Sequence, residues 1–100
     1  MSLTEKQRRH LRGLGHGLKP IIFVGQAGAS AAVIAEAARA LTDHELVKVR
    51  VTGMEREARD EALDLLASGT QSELVGRIGH TAVFYRRNPE KTRLVLPSSD

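Results

Sequence analysis

The chain has 100 residues, 41% of them hydrophobic, with a formal net charge of +3 and no cysteine. That length suits one domain, and the apolar fraction lies in the globular range rather than the disordered or membrane range. Disulfides, thiolate nucleophiles and cysteine-ligated zinc are excluded.

Thr4 and Gln7 have the spacing of a capping box and open a first helix. Leu3, Leu11, Leu14 and Leu18 fall on one side of its wheel, and Lys6, Arg8, Arg9 and Arg12 on the other. Its outer face is therefore basic. Gly15 and Gly17 are expected to end it in the left-handed conformation. Residues 20–24 are a continuous apolar run opened by proline, which predicts a short buried strand. Gly25-Gln26-Ala27-Gly28 follows as a tight loop. Ser30 is the expected N-cap of a second helix over 29–41, with Ile34, Ala37, Ala38 and Leu41 inward.

Residues 46–51 alternate, which predicts a strand with Val47, Val49 and Val51 inward and Lys48 and Arg50 outward. Strand, helix and strand make a βαβ unit with an expected right-handed crossover. After Gly53, residues 55–68 predict a third helix, with Ala58, Ala62, Leu65 and Leu66 inward and Gly69 as C-cap. Residues 74–78 and 82–86 are two strands joined by Gly79-His80, a two-residue hairpin turn. A turn over 88–91, an extended piece over 93–97 and a disordered tail over 98–100 complete the chain. The expected fold is α/β, in the order α-β-α-β-α-β-β, with one domain over residues 1–97.

Charge is unevenly spread. Lys6, Arg8, Arg9, Arg12 and Lys19 face only Glu5 in the first nineteen residues, and a second basic group gathers near the C-terminus. Such clustering is a footprint for a polyanion. The GxxG pattern occurs twice, at 25–28 and at 76–79, but only the first lies between a strand and a helix start. There the unpaired amides of the first helical turn carry partial positive charge, and glycines let a phosphate approach. GxxG loops of KH domains clamp nucleic-acid backbone in this way. Packing of helix one near strand one would set Arg8, Arg9, Arg12 and Lys19 beside the loop. Lys48, Arg50, Arg77, Arg86 and Arg87 are auxiliary candidates, with Tyr85 considered beside them. Scarce aromatics argue against a sheet-face stacking mode, because base stacking drives that mode.

The four histidines lack metal-ligand spacing, so neither metal nor cofactor is expected. The helix-three carboxylates read as an exposed charged face with pairs such as Glu55–Arg59 rather than catalytic groups. No Walker loop, dinucleotide fingerprint or GxSxG elbow is present, so the chain is expected not to be an enzyme. No apolar run has bilayer length, and residues 1–6 lack a signal-peptide core. A cytoplasmic monomer is the expectation.

Residues 11–20, Leu-Arg-Gly-Leu-Gly-His-Gly-Leu-Lys-Pro, followed by Val24-Gly25-Gln26-Ala27-Gly28, resemble the opening of a CRM domain (chloroplast RNA splicing and ribosome maturation). Residues 44–49 resemble its second block, and 76–79, 83–86 and 94–97 its last. A stand-alone domain of this length is similar to the bacterial YhbY type. The resemblance implies a four-stranded mixed sheet with three helices, like the C-terminal domain of translation initiation factor three. It also implies binding of structured RNA, in bacteria within precursors of the large ribosomal subunit. The family's loop maps onto Gly25, Gln26, Ala27 and Gly28. The family often has lysine or asparagine inside this loop where this chain has Gln26 and Ala27, which shifts weight onto the helix-one cations. The competing expectation is a protein-interaction adaptor that makes no RNA contact.

Overall fold

The computed structural model describes residues 3–92 and 94–98. Arg93, at the start of the expected extended piece, and residues 99 and 100 of the expected tail lie outside them. Seven elements form in the expected order: α1 (Glu5–His16), β1 (Ile22–Val24), α2 (Ala31–His44), β2 (Leu46–Val51), α3 (Arg56–Thr70), β3 (Glu73–Ile78) and β4 (Thr81–Tyr85). The strands make one mixed sheet in the order β1-β2-β4-β3. β1 runs parallel to β2, while β4 is antiparallel to both β2 and β3.

Alternation along the strands creates two cores, because successive side chains point to opposite faces. On one face, Val47, Val49, Val51, Ala82 and Phe84 pack with Ala37 and Leu41 of α2 and Ala62, Leu63 and Leu66 of α3. On the other, Leu46, Val75, Val83 and Tyr85 pack with Leu11 of α1, and Leu3, Leu94 and Leu96 cover the edge. Thus, among the described residues, α1 is the one helix on the second face, over β2, β4 and β3.

The predicted caps form. Thr4 and Gln7 exchange both bonds of the capping box, and the Ser30 side chain accepts from Val33 N–H. The glycine expectations are corrected. Gly15 is inside α1, where a Cβ would lie 2.8 Å from Val83, so it permits the helix to approach the sheet. Gly17 caps α1 with an ordinary right-handed φ of −86°. Gly69 is helical, against Ile34, and the left-handed C-cap of α3 is Gln71.

Other inward assignments also shift. Ala58 and Leu65 are exposed, and Leu63 and Thr70 are buried in their place. Leu14 and Leu18 are partly exposed, at 40% and 37%, because α1 ends near the thin edge of its core. Arg59 approaches Asp60 at 3.9 Å, and no side-chain pair with Glu55 forms.

Between α2 and β2, Glu45 is fully buried with a φ of +62°. Its carboxylate accepts from the amides of Asn88 at 2.7 Å and Leu94 at 2.9 Å, so it anchors the segment that follows β4. Tyr85 is buried close by. Burial first, and then the Glu45 carboxylate, push its phenol above the usual 10.0, with Arg87 opposing. The folded state therefore holds this proton more tightly than the unfolded state. The stabilisation is complete below about pH 10 and is lost as pH rises through the folded value. Tyr85 is the only tyrosine, so phenolate absorbance should show one transition above 10. The urea midpoint should fall in that range in the wild type but not in Tyr85→Phe. A midpoint at or below 10 would contradict the buried environment.

Candidate nucleic-acid interface

Residues 25–28 leave the C-terminal end of β1 and lead into α2. A bond from Gly28 N–H to the Gly25 carbonyl at 2.9 Å closes the loop, and Gly28 has a φ of +74°. Such a φ strains any residue with a Cβ. Gly25 differs, since its φ is not left-handed and a Cβ there would meet nothing within 4 Å. Neither backbone geometry nor packing within the chain requires glycine at that position. Gln26 leans on the neighbouring turn, its Cγ 3.0 Å from where a Cβ of Gly53 would stand. The turn at His80 closes the same end of the sheet, its carbonyl accepting from Val51 N–H at 2.7 Å. Three turns therefore cluster there.

The expected single groove does not form. The loop follows β1 at one edge of the sheet, whereas Arg8 and Arg12 are tied to β3 at the other edge. Arg8 donates to the Leu74 carbonyl at 3.2 Å and pairs with Glu73 at 2.9 Å. Arg12 donates to the Val75 carbonyl at 3.2 Å and to Glu5 at 2.9 Å. The Arg12 guanidinium in turn holds the Glu5 carboxyl below its ordinary value. Gly76 makes this possible, since a Cβ would lie 2.7 Å from the Arg12 side chain. Arg9 is exposed on the outer surface of α1, and Lys19 is exposed before the start of β1, with the strand between it and the loop.

The auxiliary residues divide. Arg86 bridges α2 and α3, donating to the carbonyls of Thr70 at 2.9 Å and Ala38 at 2.8 Å and to the Thr42 hydroxyl at 2.6 Å. Its cation complements the Thr70 carbonyl at the C-terminus of α3 and ties it to the middle of α2, which is a structural use. Arg77 pairs with Asp60 of α3. Arg87 is exposed at the opposite end of the sheet, beyond Tyr85, which pairs with Leu46. Tyr85 itself is buried rather than on an open face. Lys48 and Arg50 do share a face, opposite the α2–α3 layer, and Arg50 stands beside Phe23 in the β1–β2 register. Phe23 is 62% exposed, contrary to the buried strand expected. The sequence concealed this because Ile22, Phe23 and Val24 are all apolar and leave period two without a polar marker.

Among the described residues, no group of three or more His, Asp or Glu is placed to hold a metal ion. No helix among them is long and apolar enough to cross a membrane.

The CRS1/YhbY (CRM) domain model matches residues 3–86. The chain belongs to that family. Among curated relatives of this CRM domain, a probable RNA-binding protein of Pseudomonas aeruginosa is 42% identical over 93 residues, which is 93% of this chain and 89% of that protein. An RNA-binding protein of Haemophilus influenzae is 38% identical over 96% of both chains. The CRM domain also resembles the solution structure of a hypothetical protein from Staphylococcus aureus, with a TM-score of 0.82 and 36% identity. That match covers 96% of this chain and all of the other.

Proposed function

We propose that this CRM domain binds RNA, with the loop over 25–28 receiving phosphate, Arg50 supplying a cation near it and Lys48 a second cation further along the same face, level with Ile21. Gly25 carries this reading: it is exposed and free of any packing demand, at the turn into α2. A side-chain-free backbone next to the positive end of a helix dipole suits a phosphate oxygen. Gln26 adds an amide donor, and Arg9 offers a separate cation on the roof of the molecule. The acid-rich α3 lies on the other face of the sheet, so an anionic polymer is drawn to the face bearing Lys48 and Arg50. Phosphate contacts position a ligand without reading sequence, so selectivity rests on RNA shape. The RNA is structured ribosomal RNA in large-subunit precursors, as the family resemblance implies. In this reading the domain acts in the cytoplasm as a monomer and performs no catalysis.

Gly25→Asp tests the loop. The substitution fits the backbone but puts a negative charge where phosphate would sit, so affinity for a structured ribosomal RNA fragment should fall at least about tenfold at moderate salt. Gly13→Asp makes the same charge change at another open glycine and should have a much smaller effect. A folded Gly25→Asp protein with unchanged affinity in filter binding removes the loop from the site. Crosslinking in cells, followed by sequencing of bound RNA, should recover large-subunit ribosomal fragments.

A further inference from the structure

We infer that Phe23 and Arg50 form a stacking subsite for one unpaired base of a single-stranded RNA segment, next to the loop over 25–28. This inference rests on the RNA-binding reading above and reverses the expectation that scarce aromatics leave the sheet face without stacking, because Phe23, unlike the buried Phe84 and Tyr85, is exposed there. The register places Phe23, Arg50, Thr81 and Ile78 in one row across all four strands. All four project to the face that α1 roofs, since the residues flanking each along its strand, such as Val24, Val49, Val51 and Ala82, enter the opposite core. Yet α1 reaches only the β3–β4 half of this row: Leu11 and Gly15 cover Leu46, Val75 and Val83, and the cleft that Gly15 and His16 line takes in Ile78 and Thr81 but neither Phe23 nor Arg50. Phe23 is 62% exposed and Ile78 60% exposed.

Two features favour a nucleotide over an apolar partner. The row contains an arginine and no acid, and the neighbouring outward position on β2 is Lys48. Arg50 is exposed and has no hydrogen bond or ion pair among the described residues, unlike Arg8, Arg12, Arg77 and Arg86. An aromatic face beside a free guanidinium accepts a base and its phosphate together. The strand continues from Phe23 through Val24 into Gly25, so one backbone could pass from the loop onto the ring. The cleft under the end of α1, near Lys48 and Thr81, has a volume of only about 40 Å³. That space is the size of a few waters and too small for a base, so the base lies on the open ring of Phe23 and not beneath the helix.

The test uses the full chain with two probes: a single-stranded RNA carrying 2-aminopurine and a blunt RNA duplex. Wild-type protein should quench the 2-aminopurine. Phe23→Ala should remove the quenching and weaken single-strand binding by roughly 5- to 150-fold, the range for one stacked base. Its salt dependence should not change, because no phosphate contact is lost. Phe23→Tyr should restore both signals. Arg50→Ala should lower the salt slope by about 0.7, one phosphate on a single strand. Duplex affinity should be little affected by Phe23→Ala. If Phe23→Ala keeps wild-type quenching and affinity while Gly25→Asp loses RNA, the subsite is refuted and the loop reading stands. If the wild type binds neither probe in a salt-dependent way, both readings fail, and the exposed row belongs to a protein contact.

Discussion

Replacing Leu11 by alanine should destabilise the domain by about 2–5 kcal/mol, the range for deleting a fully buried leucine side chain. Leu11 is the side chain from α1 that is wholly buried in the second core, at 0% exposure, among Leu46, Val75, Val83 and Tyr85. No neighbouring helix can fill the cavity, since α2 and α3 lie on the other side of the sheet. A small domain has a total stability of about 5–15 kcal/mol, so this loss is a large part of the whole. The melting temperature should drop by about 10 °C or more. Leu14→Ala, at a 40% exposed position on the same helix, should cost under about 1 kcal/mol. Urea titration of the three proteins separates these outcomes. A Leu11→Ala midpoint matching that of Leu14→Ala would mean that α1 is not held to the sheet by this contact.

Glu45→Ala should cost about 3 kcal/mol, two charge-assisted hydrogen bonds at about 1.5 kcal/mol each. The bonds from Asn88 and Leu94 both end on its carboxylate. Alanine occupies a φ of +62° no more easily than glutamate does, so the change reports the lost acceptor rather than relief of strain. The amides of Asn88 and Leu94 should exchange with solvent much faster, because the segment they belong to loses its anchor. Leu94 and Leu96 would then uncover the edge of the Leu11 core. Glu45→Gln should also bring the Tyr85 phenol closer to its ordinary value by removing a nearby negative charge. Unchanged exchange at Asn88 and Leu94 would show that another contact holds the segment.

Short-range regularities could be read directly from the residues. The Thr4–Gln7 box, the Ser30 cap, the alternation of residues 46–51 and the two-residue turn at Gly79-His80 each depend on positions a few residues apart. The order of elements followed from them, and so did the loop over 25–28 and the outward direction of Lys48 and Arg50. Partnership across the fold was a different matter. Nothing local says that β4 inserts between β2 and β3, yet this order carries Arg8 and Arg12 to the edge away from the loop. The carbonyls they reach are distant in the chain: Leu74 lies 66 residues from Arg8, and Val75 lies 63 from Arg12. Charge counting cannot tell a guanidinium that holds internal carbonyls, such as that of Arg86, from one open to solvent, such as that of Arg50. Burial of Phe23 likewise depended on whether α1 reached β1, which is set by how far a helix extends over a sheet. Periodicity reports which side of an element a residue takes; the packing of distant elements settles what, if anything, lies against it.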